Sequence, residues 1–156
     1  ARVAGVTAKR KAIREAEEKL RKVFEEHIPF NRVLGLRMES MDAKAPRLRF
    51  DMRPELVGNP TRGILHGGVI SAVLDVVAGV AVCIALIEDS DPSKVEFPNI
   101  GTIDLRVDYL RPGRGKHFIA TGRVVRMGSR IAVAHMELEN DDAELIATGS
   151  AAYVVG

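Results

Sequence analysis

Residues 59–75 carry the clearest chemical signal in the chain: Asn59-Pro-Thr-Arg-Gly-Ile-Leu-His66-Gly67-Gly68-Val-Ile-Ser-Ala-Val-Leu-Asp75. A polar, turn-forming approach runs into His-Gly-Gly and then into a long apolar stretch with one carboxylate two turns in. Glycines present backbone N–H groups with no Cβ in the way. The first N–H groups of a helix have no intrahelical acceptor, so they can point at an oxygen that carries negative charge. An oxyanion site at Gly67 and Gly68, with Asp75 buried along the same helix, points to acyl-transfer chemistry.

The elements that must hold these groups follow from the pattern. Residues 69–87 are almost wholly apolar and close to membrane-spanning length. Asp75 near the middle, with Ser71 and Gly79, makes a lipid-facing span costly, and no basic cluster flanks either end. The expectation is a core helix wrapped by a sheet, with no membrane partner. Before it, Ala8 to Glu26 is a charged amphipathic helix with a narrow stripe of Ile13, Ala16, Leu20 and Val23, and i,i+4 pairs such as Glu18–Lys22 on its solvated face. Pro29 breaks that pattern. Gly35 to Met41 and Leu48 to Met52 read as short strands, with a turn-rich loop from Pro54 to Arg62.

After the long helix, Asp89 to Ser93 marks a loop. Thr102 to Arg111 then alternates cleanly: Ile103, Leu105, Val107 and Tyr109 predict a core face, and Thr102, Asp104, Arg106 and Asp108 a polar one. Lys116 to Met127, Arg130 to Glu139 and Leu145 to Val155 follow, joined by short turns. Strands so joined are antiparallel, since parallel ones need crossovers. The fold class is α+β, with residues 1–27 a helical extension and residues 28–156 the domain proper.

Composition excludes several functions. A net charge of +2 and 4% aromatic residues give no basis for nucleic-acid binding. The lone Cys83 lies in the apolar run and reads as a core residue. No His/Cys cluster has zinc spacing and no Gly-x-Ser-x-Gly elbow is present, so no metal or other cofactor is expected. Ala1 to Arg14 lacks an apolar signal core, which makes the cytoplasm the expected location.

Gly101-Thr-Ile-Asp-Leu-Arg-Val-Asp-Tyr-Leu-Arg-Pro-Gly113 is similar to the third-strand signature of the PaaI-like thioesterases, a hotdog-fold family, and His66-Gly67-Gly68 resembles that family's helix start. Pro29-Phe-Asn-Arg, Val57-Gly-Asn, Ile64 to Ile70 and the ending Ala151 to Gly156 extend the resemblance toward members acting on medium- and long-chain acyl-CoA. The resemblance implies an antiparallel sheet around a central helix and hydrolysis of an acyl-CoA thioester. It implies that the Gly67 amide polarises the thioester carbonyl and that Asp75 activates water or attacks directly. Asn59 would assist near the carbonyl, one residue further from the histidine than the family pattern has it. Thr102 would help hold the water, and His66 would orient the thioester.

Spacing adds two further expectations. Gly67 and Asp75 are eight residues apart, about 12 Å along a helix at ~1.5 Å per residue, too far for one thioester carbon to touch both. The site is therefore expected to combine Gly67 of one subunit with Asp75 of another, with a homodimer as minimum unit and a homotetramer left open. No acid lies between Asp108 and Glu137, while Arg111, Arg114, Lys116, Arg123, Arg126 and Arg130 do. Arg111, Arg114, Arg126 and Arg130, with Ser129 and Gly68, are candidates to bind the phosphates and arm of CoA. The helix face of Val69, Val73, Val76, Val77 and Val80 predicts an apolar acyl tunnel. With no aromatic residue between His66 and Glu88, aryl-acyl substrates are expected to be inferior.

Each reading has a rival. Asp75 could be a structural acid paired with an arginine, Asn59 an Asx-turn before Pro60, Thr102 an ordinary strand residue, and the glycines a packing device. His66 could simply satisfy a backbone group. The arginines could be a solvated sheet edge. At the level of function, the rivals are a non-catalytic acyl-CoA-binding hotdog module and a hotdog hydratase or dehydratase.

Overall fold

The apolar stretch forms one long helix, Gly67–Asp89, around which everything else is arranged. The computed structural model describes residues 2–91 and 97–156, so the end of the expected loop at Asp89 to Ser93 lies outside the described residues. In chain order, α1 (Arg2–Lys22) runs through a π-helical turn (Val23–His27) into α2 (Pro29–Leu34). Then come β1 (Arg37–Ser40), β2 (Arg47–Asp51), a 3₁₀ turn (Pro54–Leu56) and the small strands β3 (Val57–Asn59) and β4 (Ile64–Leu65). The long helix is α3, followed by β5 (Ile100–Tyr109), β6 (His117–Met127), β7 (Ile131–Asn140) and β8 (Leu145–Val155).

Six strands make one antiparallel sheet in the order β1-β2-β6-β7-β8-β5. α3 lies across it with Val73, Leu74 and Val77 fully buried, so its membrane-like composition is that of a core helix. Phe50 and Phe118 sit directly opposite each other on β2 and β6 and stack at 5.2 Å, the kind of cross-strand pair that stabilises a sheet face. Cys83 is buried here as expected, and burial pushes its thiol up to about 12.

Three expectations change at the N-terminus. Pro29 opens a helix instead of only ending one: its fixed φ suits the first helical position, where an N–H would have no acceptor. The π turn, closed by Ile28 N–H donating to Val23 O at 3.0 Å, inserts one residue into the helical period. Phe24 lies four residues after Leu20, as Leu20 does after Ala16, and the three pack on Val80, Cys83, Ile84 and Ile87 of α3, while Val23 is only half-buried. Glu18 pairs with Arg21, not Lys22, because the Arg21 guanidinium can also reach Glu25 at 2.7 Å.

β5 corrects the simple alternation. A bulge between Thr102 and Asp104 leaves Ile103 outside the ladder, 57% exposed. The bulge places Thr102, opposite Tyr153, on the same face as Leu105, opposite Ala151. Without that extra residue Thr102 would point away from α3.

The helix passes close over Gly122, where an added Cβ would stand 2.7 Å from the Val77 carbonyl oxygen. Gly122→Ala is expected to destabilise the fold by about 1–3 kcal/mol through overpacking. Urea unfolding would check this, and a change below ~0.5 kcal/mol would contradict the close approach.

Candidate active site

The β3–β4 hairpin delivers His66 to the head of α3. Asn59 O accepts from Gly63 N–H at 2.9 Å, and Asn59 Oδ1 accepts from the Thr61 hydroxyl at 2.7 Å and the Thr61 N–H at 3.2 Å. The Asn59 side chain thus makes an Asx-turn and is turned into its own loop. Gly58 lets His66 lie against the hairpin, since a Cβ there would fall 2.5 Å from His66 Cα.

At the helix start, His66 serves the backbone three times. Its Nδ1 accepts from Gly68 N–H at 2.8 Å, and its carbonyl accepts from Val69 and Ile70 N–H at 3.0 and 3.3 Å. An accepting Nδ1 carries no proton, so the neutral ring carries it on Nε2 and can donate from there. Of the first four N–H groups of α3, only that of Gly67 has no partner among the described residues. Gly68 N–H is therefore occupied, and Gly67 N–H is the one left open at the helix start. The Tyr109 hydroxyl donates to Gly67 O at 2.9 Å and its ring lies against Gly67, fixing that peptide.

Asp75 is half-buried, not buried, and its partners are hydroxyls, not an arginine. Thr102 Oγ1 donates to Asp75 Oδ1 at 2.9 Å. The Tyr153 hydroxyl lies 2.6 Å from both Asp75 Oδ1 and Asp75 O. Asp75 Oδ2 accepts nothing among the described residues. Burial, then the hydrogen bond to Asp75 and its charge, hold the Tyr153 phenol well above the ordinary tyrosine range. Its proton stays in place to donate. Ser71, one turn earlier, donates to Gly68 O at 3.1 Å.

The sequence did not single out Tyr153. Its signal was available: alternation along β8 puts it on the face of Ala147, Gly149 and Ala151, toward the helix. A cavity of about 260 Å³ opens beside Asp75, Thr102 and Tyr153. Among the valines expected to form a tunnel, only Val76 lines it. Val73 and Val77 are buried against the sheet and Val80 against α1, because a core helix hides its apolar stripe. The cavity also contains Phe24 and Phe30, so the aromatic residues missing from the helix come from elsewhere.

The basic residues separate into two groups. Arg111 and Arg114 precede β6 and donate to Leu145 O and Arg62 O, each at 2.9 Å. Arg126, Ser129 and Arg130 are exposed at its far end, where Arg130 O accepts from Val155 N–H. Eleven residues of strand hold the groups roughly 30 Å apart at ~3.3 Å per residue.

Residues 62–147 match the family model described as the thioesterase superfamily. The chain belongs to the thioesterase superfamily. The medium/long-chain acyl-CoA thioesterase YigI of Salmonella typhimurium is 45% identical, covering 93% of this chain and 99% of the relative. YigI of Escherichia coli strain K12 is 44% identical over the same shares. A crystal structure from Shewanella oneidensis, described as related to the thioesterase superfamily, superposes with a TM-score of 0.86 at 42% identity, covering 92% of this chain and 97% of that one. The hotdog architecture and the resemblance read from residues 101–113 and His66-Gly67-Gly68 hold in this thioesterase-superfamily chain.

In a Tyr109→Phe background Tyr153 is the sole tyrosine of the chain's two. It is expected to stay un-ionised as pH passes about 10, where a free tyrosine titrates. The unfolded chain ionises there and the folded one does not, so stability should fall as pH climbs through that value. Ultraviolet titration would show phenolate appearing only with unfolding, and half-ionisation near pH 10 in the folded protein would contradict the Asp75 contact.

Proposed function

We propose that this chain hydrolyses medium- and long-chain acyl-CoA thioesters to a fatty acid and free CoA, with Asp75 as general base. One observation carries the reading most: the Asp75 carboxylate is held at Oδ1 by Thr102, with the Tyr153 hydroxyl at 2.6 Å, and open at Oδ2 beside an apolar cavity. The substrate class also rests on the likeness to YigI.

Water hydrogen-bonded to Asp75 Oδ2 attacks the thioester carbon as the carboxylate takes its proton. The carbonyl oxygen gains the negative charge, and the Gly67 N–H donates to it. Nε2–H of His66, one residue before Gly67, is a second donor within the same turn. Collapse expels the CoA thiolate, which takes the proton from Asp75. Thr102 and Tyr153 hold the carboxylate in one orientation throughout.

Gly67 and Asp75 face different partners along α3, so the reading takes each site from two subunits. The free edge of β5, with Ile103 exposed on it, supports pairing between copies. The exposed guanidinium groups of Arg111 and Arg114 at one end of β6, or Arg126 and Arg130 with Ser129 at the other, are candidates for the CoA phosphates. Their separation means that one chain offers a given CoA only one of the two groups.

Thiol release from a panel of acyl-CoAs from C2 to C18 tests the reading. kcat/KM is expected to climb from acetyl- to at least octanoyl-CoA, several-fold per methylene at ~0.8 kcal/mol each. Asp75→Asn should keep the fold and lose at least ~100-fold in kcat, the scale of a positioned base. No thiol release from any member of the panel, or wild-type turnover by the variant, would overturn the proposal.

A further inference from the structure

We infer that the turn from Phe24 to Asn31, joining α1 to α2, is the acyl wall of the site and sets which chain lengths bind; this rests on the acyl-CoA reading above. The cavity that holds Asp75 is walled on one side by Phe24, Ile28 and Phe30 and elsewhere by Val76 and Ile100. Among the described residues no other stretch contributes as many apolar side chains to it. With Val73, Val77 and Val80 committed to the core, α3 itself offers an acyl chain only Val76 and Gly79 there.

Two features mark the turn as a binding wall instead of spare packing. Phe30 is 55% exposed, while Asn31 beside it is only 2% exposed. A large aromatic ring half in water at the rim of an apolar cavity gains burial when an alkyl chain enters. The turn is also rigid. Asn31 Nδ2 donates to Phe24 O at 3.0 Å, Asn31 O accepts from Leu36 N–H at 3.1 Å, and Ile28 N–H closes the π turn onto Val23 O. A wall pinned at both ends needs no ordering when ligand arrives, which favours affinity.

An acyl chain lying against Phe30 must be long enough to reach it from the thioester carbon at Asp75. Short chains are therefore indifferent to the ring and longer ones depend on it. The turn thus converts chain length into affinity without touching the reacting atoms.

Non-hydrolysable S-alkyl-CoA thioethers test this by binding alone, with titration calorimetry on the full chain. Phe30→Ala should weaken S-dodecyl-CoA about 10-fold while S-butyl-CoA stays within about two-fold, with an unchanged circular dichroism spectrum. Phe30→Leu should recover most of the loss. If the alanine variant fails to fold, the leucine variant carries the same comparison, with an expected fall of about three-fold for the longer thioether. Equal weakening at both lengths, no change, or tighter binding of the longer thioether would overturn the assignment. Thiol release from the matching thioesters separates the two claims: length-dependent binding without turnover would sink the hydrolase reading and leave the wall standing.

Discussion

A carboxylate has to be carried inside an apolar helix, and much of the architecture answers that requirement. Asp75 on α3 is half-buried, and its carboxylate would be costly there without partners. Its partners are two hydroxyls from strands distant in sequence, Thr102 on β5 and Tyr153 on β8, which lie opposite each other in the sheet. That pairing reaches the helix only because the bulge at Ile103 turns Thr102 inward without turning Leu105 out. It also needs the helix close to the sheet, which the bare backbone at Gly122 permits. Register, bulge and close approach therefore act as one constraint on the orientation of a single oxygen pair.

How much of this the sequence announced depends on the range of the interaction. β8 matches its expected limits, and α3 was unmistakable, because periodicity and composition are local properties. Pro29 was misleading because proline ends one helix and begins another by the same lack of an N–H. Val23 was expected inside and Phe24 is, since positions three and four after Leu20 both lie near its face and spacing alone does not choose between them. Tyr153 was readable as a strand residue facing the helix but not as the partner of Asp75, which is 78 residues away. The valine tunnel failed for a different reason: an apolar helix face says that something will cover it, without saying whether sheet or substrate does.

The two tyrosines divide α3 between two tasks. Tyr109 fixes the Gly67 peptide at the helix start, and Tyr153 fixes Asp75 two turns later. In the proposed reaction both groups act on one thioester, yet each is held in a different place. A rigid helix cannot bring them together, so the proposed reaction takes Gly67 and Asp75 from two copies of the chain.

Subunit complementation tests that claim most directly. Gly67→Val should lose the oxyanion donor and Asp75→Asn the base, so each homo-oligomer should be inactive. After subunit exchange, a heterodimer retains one site with Gly67 from one chain and Asp75 from the other. The account predicts that mixing restores thiol release from decanoyl-CoA to roughly a quarter of wild type, as half of the dimers would be mixed and each would hold one intact site of two. Verified heterodimers of folded subunits that remain inactive would contradict a site shared between chains.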